Sequence, residues 1–239
     1  MADQNVFKRY EIKYLLTQQQ KQRVLEAMEP YMSLDRYGRA TIRNIYMDTD
    51  NFRLVRRSIE RPAYKEKLRI RSYRQADRDT PVFVELKKKY QSVVYKRRLS
   101  MPEQQAIDWV CNGVHCEDHS QIGQEIAYFL SYYGDLYPAV FLSYEREAYF
   151  CRNGGDFRVT FDENILCRRE NISLEAPVGG VPLLEAGKTL MEIKTSGGIP
   201  LWMTHVLTEE GIHKTSFSKY GTAYEKMIFE KNKGDCLYA

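Results

Sequence analysis

Apolar and polar residues alternate with a period of two along several stretches of the chain, the signature of half-buried strands. The pattern predicts strands at Val6–Leu15, Thr41–Asp48, Tyr64–Tyr73, Pro81–Lys89, Ser92–Leu99, Pro138–Phe150, Phe157–Asp162 and Leu190–Thr195. Asp77–Thr80 is a polar turn between two of them, and Asn153-Gly154-Gly155 is a strong turn signal. Helical spacing fills the gaps. Thr17 with Gln20 forms a capping-box pattern, followed by an apolar face of Val24, Leu25 and Met28. Asn51–Ile59 reads as a short helix. Ser100 and Glu103 form a second capping-box pattern, opening a helix through Val110. A further helix covers His119–Tyr133 and ends at Gly134, and helices at Leu201–Glu210 and Lys219–Glu230 follow. Ile165–Gly187 shows no clear period and reads as irregular. The fold class is therefore α+β: about eight antiparallel strands, able to close into a barrel, with flanking helices.

The polar faces of these strands are unusual. Lys67, Arg69 and Arg71 share one face, while Leu68 and Ile70 point the other way. The arrangement recurs as Glu85 with Lys87, Lys96 with Arg98, Arg158 with Thr160 and Asp162, Glu192 with Lys194, and Glu11 with Lys13. Phe83, Val84, Leu86 and Ile193 supply apolar material for packing against helices. In an open sheet each charged face would be solvated, the norm for exposed charge. Repetition over six strands favours faces that look at one another across a charged lumen. Cations crowded there repel unless anions join them, which calls for a dense polyanion. Phosphate chains fit, because Arg and Lys bind phosphoryl oxygens through charge-assisted hydrogen bonds. A carboxylate beside polyphosphate needs a cation between them, and Mn²⁺ or Mg²⁺ accepts both kinds of oxygen. Glu192 is the first candidate ligand, with Glu11 and Glu85 as supports. The alternative, that Glu11 and Glu85 only pair with neighbouring Lys or Arg, stays open.

Composition narrows the classes further. Lys plus Arg number 36 and Asp plus Glu 32, with 43 % apolar residues in 239, enough for a full core in one domain over 1–239 and incompatible with wholesale disorder. No apolar run is long enough for direct membrane insertion. Met-Ala-Asp-Gln-Asn at the start is not a basic stretch followed by an apolar one, so a cytoplasmic location is expected. Five cysteines, odd in number and irregular in spacing, argue against a disulfide scaffold. Cys111, His115, Cys116 and His119 fall close together, but their spacing matches no common zinc finger and they join two apparent helices. Duplex nucleic acid is not expected as a partner, because groove binding needs basic residues on an open surface. The 18 tyrosines could stack on single strands, although packing is the usual role of aromatics in strands.

Arg9-Tyr10-Glu11-Ile12-Lys13-Tyr14, Lys67-Leu68-Arg69-Ile70-Arg71, Glu85-Leu86-Lys87, Arg158-Val159-Thr160-Phe161-Asp162, Met191-Glu192-Ile193-Lys194 and Ser218-Lys219-Tyr220 occur in the order seen in the VTC domain. Ile199-Pro200-Leu201-Trp202 and Ser143-Tyr144-Glu145-Arg146-Glu147 resemble two further segments of it. The chain thus resembles, from about Phe7 to Met227, the VTC-domain polyphosphate polymerases of the triphosphate tunnel metalloenzyme (CYTH-like) superfamily. The resemblance implies a tunnel-shaped antiparallel barrel and transfer of the ATP γ-phosphate to polyphosphate, assisted by Mn²⁺ or Mg²⁺. It maps phosphate binding onto Lys13, Arg69, Arg71, Lys87, Lys96, Arg98, Arg146, Arg158 and Lys219, with Lys67 and Lys194 similarly placed, and the metal onto Glu192. Arg69, Arg71, Lys87, Arg146, Arg158 and Lys219 are the expected catalytic set. The cyclase and thiamine-triphosphatase branch opens with Glu-x-Glu-x-Lys, where this chain has Arg9-x-Glu11-x-Lys13. Losing a carboxylate reduces capacity for a second, water-activating metal and favours transfer over hydrolysis. A metal-dependent triphosphatase and a non-catalytic polyphosphate or inositol-phosphate receptor are the alternatives. Multi-domain relatives carry transmembrane helices and a phosphate-sensing domain. This chain reads as a stand-alone catalytic module, with room for a membrane-protein partner that receives the product.

Overall fold

The computed structural model of the chain describes residues 10–91, 93–116 and 118–229. The expected strand ends at Val6–Arg9 and Ser92, the helix end at Glu230, and Cys236 lie outside the described residues. The chain begins with β1 (Tyr10–Thr17), α1 (Gln18–Met28), β2 (Met32–Leu34), β3 (Ala40–Asp48) and α2 (Arg53–Ile59). Three long strands follow, β4 (Tyr64–Ser72), β5 (Pro81–Tyr90) and β6 (Val93–Pro102), then α3 (Glu103–Cys111) and α4 (Gln121–Tyr133). Next come β7 (Tyr137–Cys151), β8 (Arg158–Arg168), β9 (Val181–Pro182) and β10 (Lys188–Thr195). The last elements are α5 (Leu201–Glu209), β11 (Lys214–Thr215) and α6 (Lys219–Tyr224), which runs into a π-helical turn, Glu225–Phe229. The class is α+β, built on a large antiparallel sheet with helices.

The chain divides into two compact units, and the long strand β7 supplies residues to each. The first holds the described residues of Met1–Thr41, Tyr144–Ile165 and Leu184–Ser218. Its strands run in the order β11-β1-β10-β8, then the second half of β7, whose end pairs with β2. Tyr14, Leu16, Phe161, Met191 and Ile193 form one apolar face, covered by Val24 and Met28 of α1 and Met203 and Val206 of α5. Thr17 caps α1 with the reciprocal Gln20 bond that the sequence pattern predicts.

The second unit holds Ile42–Ser143, Leu166–Leu183 and the described residues from Lys219 onward. The first half of β7 lies beside β3, and β3-β4-β5-β6 follow in order. Ile45, Met47, Leu68, Ile70, Val84 and Leu86 pack against Trp109 and Val110 of α3 and Ile126 and Phe129 of α4. Asp48, at the end of β3 and fully buried, accepts from the Leu54 and Val55 N–H groups of α2 and from the Tyr220 hydroxyl at 2.8 Å.

Three expectations need correction. Ser100 does not cap α3: it stays in the β5–β6 ladder opposite Phe83, and Pro102 takes the cap position. The free N–H groups of Glu103 and Gln104 bond instead to the Thr80 and Arg78 carbonyls. Phe83 is not on the helix-packing face, since it shares the parity of Glu85 and lies 4.2 Å beneath the Arg98 guanidinium. The segment read as irregular is partly strand. β8 continues to Arg168 through Asn164, whose φ of +48° breaks the alternation, and β9 pairs with its end.

In the first unit Lys21 of α1 bonds Glu147 at 2.9 Å and Glu163 at 3.0 Å, and Thr189 donates to Glu163 at 2.7 Å. Burial would raise the Glu163 carboxyl, but hydrogen bonds from Thr189, Lys21 and Gln18 outweigh it and hold the group at about 2. A depressed carboxyl contributes stability above its unfolded pKa and loses it as pH falls through the folded one. Glu163→Gln should therefore remove about 2–3 kcal/mol of stability at neutral pH. The gap to the parent should close between about pH 4.5 and pH 2, read by denaturant titration across that range.

Candidate functional site

Register places the charged side chains of the second unit in rows. Lys67, Lys87 and Lys96 lie directly opposite one another across β4, β5 and β6. The next row is Tyr46, Arg69, Glu85 and Arg98, and the third is Asn44, Arg71, Phe83 and Ser100. Like charges opposite each other across a ladder are destabilising, so a row of three lysines is a feature that folding alone does not favour.

Glu85 holds this face together. Its Oε2 lies 2.6 Å from Arg69 and 3.7 Å from Arg71, and its Oε1 lies 2.7 Å from Lys96 and 2.5 Å from Arg98. The side chain is 1 % exposed. Burial would raise the carboxyl, but the charges of Arg69, Arg71, Lys96 and Arg98 hold it well below the usual range. Neutral acceptors complete the set: Tyr46 takes a bond from Arg69, Asn44 from Arg71 Nε, and Tyr73 from Arg98, each at 2.9 Å. Asn44 is oriented in turn by its own bond to the Leu142 carbonyl. Lys67 lies 5.9 Å over the Tyr220 ring, which stacks on Tyr46, and Lys219 immediately precedes it as the first residue of α6.

The first unit carries a different balance. Glu192, in β10, lies opposite Lys13 of β1 and Thr160 of β8, while Lys194 lies opposite Glu11 and Arg158. Glu192 Oε2 is 2.8 Å from Lys194 and 3.8 Å from Arg146, and its Oε1 is 3.5 Å from Lys13. Glu11 is also 3.5 Å from the Lys13 ammonium, which donates to the Phe217 carbonyl at 3.0 Å. Arg146 makes a two-pronged bond to the fully buried Asp162, at 2.6 and 2.7 Å, and stacks on Tyr144. Arg158 is exposed and lies over Phe150. The Thr160 hydroxyl oxygen is buried and has no hydrogen-bond partner among the described residues.

The structure thus gathers Arg69, Arg71, Lys96 and Arg98 on Glu85, and Lys13, Lys194 and Arg146 on Glu192. Of the three carboxylates read as metal ligands, Glu11 and Glu192 meet at Lys13, and Glu85 is enclosed by cations in the other unit. Among the described residues, no three His, Cys, Asp or Glu side chains form a ready-made metal cluster. Burial, with Glu103 and Asp108 adding, pushes the Cys111 thiol up to about 11. Sequence reasoning missed Asn44, Tyr46 and Tyr73 as parts of these faces. The alternation of Asn44, Tyr46 and Asp48 along β3 carried the signal.

No curated protein matches the sequence. A putative adenylate cyclase from Bacillus halodurans has a similar solved structure, with a TM-score of 0.54 and 14 % identity, covering 88 % of this chain and 95 % of that one. A putative adenylyl cyclase from Hippeastrum, described as having a dominant triphosphatase activity, aligns with a TM-score of 0.53 and 15 % identity, covering 89 % of this chain and 92 % of that one. At such identities these likenesses establish the fold. The VTC domain pattern matches residues 8–228, nearly the whole length. With the ordered motifs and the charged strand faces in agreement, the chain belongs to the VTC domain family.

Proposed function

We propose that this chain is a polyphosphate polymerase that transfers the γ-phosphate of ATP to the end of an inorganic polyphosphate, with its sheet closed as an eight-stranded tunnel barrel. ATP and polyphosphate are the partners. The observation that carries the reading is the charge imbalance on β4–β6, where four cations share the single carboxylate of Glu85 beside a row of three lysines. A surplus held this rigidly suits a ligand with several negative charges in a line.

Arg69, Arg71 and Arg98 grip phosphoryl oxygens with guanidinium forks already aimed by Glu85, Tyr46 and Asn44. Lys67, Lys87 and Lys96 supply compact point charges along the row. Lys13, Arg146, Arg158, Lys194 and Lys219 take the same task on their own elements. Glu85 acts as a fixed counter-charge here and not as a metal ligand, because both of its oxygens already face cations.

The remaining carboxylates suit Mn²⁺ or Mg²⁺. Glu192 and Glu11 converge on one ammonium, and the unpartnered Thr160 oxygen lies opposite Glu192 in the ladder. Such hard cations are held by one or two carboxylates plus substrate phosphates. When bound, the ion would neutralise charge on the phosphate oxygens.

The terminal oxygen of the acceptor attacks the γ-phosphorus in line, and the bond to the β–γ bridging oxygen breaks with its electron pair leaving on ADP. The acceptor is already an anion, so no general base is required.

Incubation of the purified protein with ATP and Mn²⁺ should yield polyphosphate and one ADP per phosphate added. ADP with only orthophosphate would make the chain a triphosphatase, for which the base at Arg9 is the discouraging feature. An absence of turnover would favour a receptor. No helix among the described residues is long and apolar enough to cross a membrane.

A further inference from the structure

The row of Lys67, Lys87 and Lys96 calls for groups that keep like charges in place without cancelling them. A carboxylate partner steadies an ammonium but competes with phosphate for it. An aromatic ring does the first without the second, because its face attracts a cation yet carries no net charge. The Lys67 ammonium lies 5.9 Å from the centre of the Tyr220 ring, within reach of that attraction.

The ring is itself held from several sides. Tyr220 is 2 % exposed and sits in α6, where its neighbours Gly221 and Ala223 are small and buried, so this short helix packs closely on α2. Tyr224, one turn on, meets Phe52 at the start of α2 with ring centres 5.5 Å apart. The Tyr220 hydroxyl donates to Asp48 at 2.8 Å, the same buried carboxylate that accepts from the Leu54 and Val55 N–H groups. Burial, with the Asp48 charge adding, holds the phenol well above its ordinary range, so it stays a donor. The ring stacks on Tyr46, with centres 4.8 Å and planes 21° apart. Tyr46 accepts in turn from Arg69 at 2.9 Å, and the Arg69 guanidinium lies 5.7 Å over the Tyr46 ring. Tyr220 therefore bears on two cations of the face, on Lys67 directly and on Arg69 through Tyr46.

We propose that Tyr220 is a positioning residue for the phosphate-binding face: its ring sets Lys67 and Tyr46, and through Tyr46 sets Arg69, without touching phosphate itself. The two ends of the side chain then have separate tasks. The hydroxyl, bonded to Asp48, contributes stability, and the ring contributes affinity. The role rests on the reading of β4–β6 as a polyphosphate-binding face.

The test measures tripolyphosphate affinity in the presence of a chelator, together with the melting temperature, for the intact chain and two variants. Tyr220→Leu removes both ring and hydroxyl. It should melt lower and, at a temperature where it is fully folded, bind about tenfold more weakly. Tyr220→Phe keeps the ring and leaves Asp48 short of one donor. It should melt below the parent and still bind as tightly. A residue that only supported the fold would lower both melting temperatures and leave both affinities alone. Parent-like affinity in Tyr220→Leu therefore overturns the role. An equal loss in Tyr220→Phe assigns the effect to the hydroxyl and overturns it as well. A parent that does not bind tripolyphosphate overturns the reading of the face, and this role with it. Should Tyr220→Leu fail to fold, a phenylalanine with three ring fluorines at position 220 keeps the shape and removes the negative ring face. It should bind about threefold more weakly than Tyr220→Phe, and equal binding overturns the role.

Discussion

Glu85→Gln should destabilise the protein by about 3–5 kcal/mol, because it removes one partner from a buried ionic cluster and leaves the others uncompensated. The substitution keeps the shape of the side chain. It deletes the negative charge that Arg69, Arg71, Lys96 and Arg98 share, and turns amide hydrogens toward donors that need acceptors. Tripolyphosphate should narrow the gap, since the ligand brings the missing charge and binds a face that now lacks its internal counter-ion. Denaturant titrations of parent and variant, with and without tripolyphosphate, read both effects. The pH dependence has a definite sign. The carboxyl is held well below its ordinary value, so its contribution is present above the unfolded pKa of about 4.3 and disappears as pH falls through the folded value. The difference between parent and variant should shrink only in acid stronger than about pH 5.5. A variant as stable as the parent at neutral pH would show that the four cations are not held by Glu85.

Much of this face was legible in the chain because its signal is local. Lys67-Leu68-Arg69-Ile70-Arg71 displays charge on one parity and apolar residues on the other within five positions, and the structure puts Leu68 and Ile70 in the core. Neutral members of the same face left a weaker signal. Asn44 and Tyr46 in β3, and Tyr73 just past the end of β4, show their part only once Arg71, Arg69 and Arg98 are seen to bond them. Long-range pairing also escaped. Nothing near Glu11 announces that β1 pairs with β10, about 180 residues away, yet that register alone sets Lys13 opposite Glu192. β2, β9 and β11 have only two or three residues, too few to show a period.

Glu192→Gln should separate binding from turnover. Glu192 sits 2.8 Å from Lys194, 3.5 Å from Lys13 and 3.8 Å from Arg146. Without metal it competes with phosphate for these cations, so neutralising it should hold or raise the affinity for tripolyphosphate measured in the presence of a chelator. With Mn²⁺ and ATP the balance reverses. The variant loses the charged oxygen that would hold the ion against the phosphate chain, and turnover should fall about 10²–10³-fold, as when one preorganised electrostatic contact is removed. Raising the Mn²⁺ concentration should recover part of the loss if the residue binds metal, and none of it if the residue only orients Lys194. Because Arg146 also bonds Asp162 in two places, the surrounding framework should survive the change, which the melting temperature checks. Unchanged turnover in a folded variant would move the metal off Glu192. Parallel loss of affinity and turnover would mean that Glu192 positions the cations instead of opposing them.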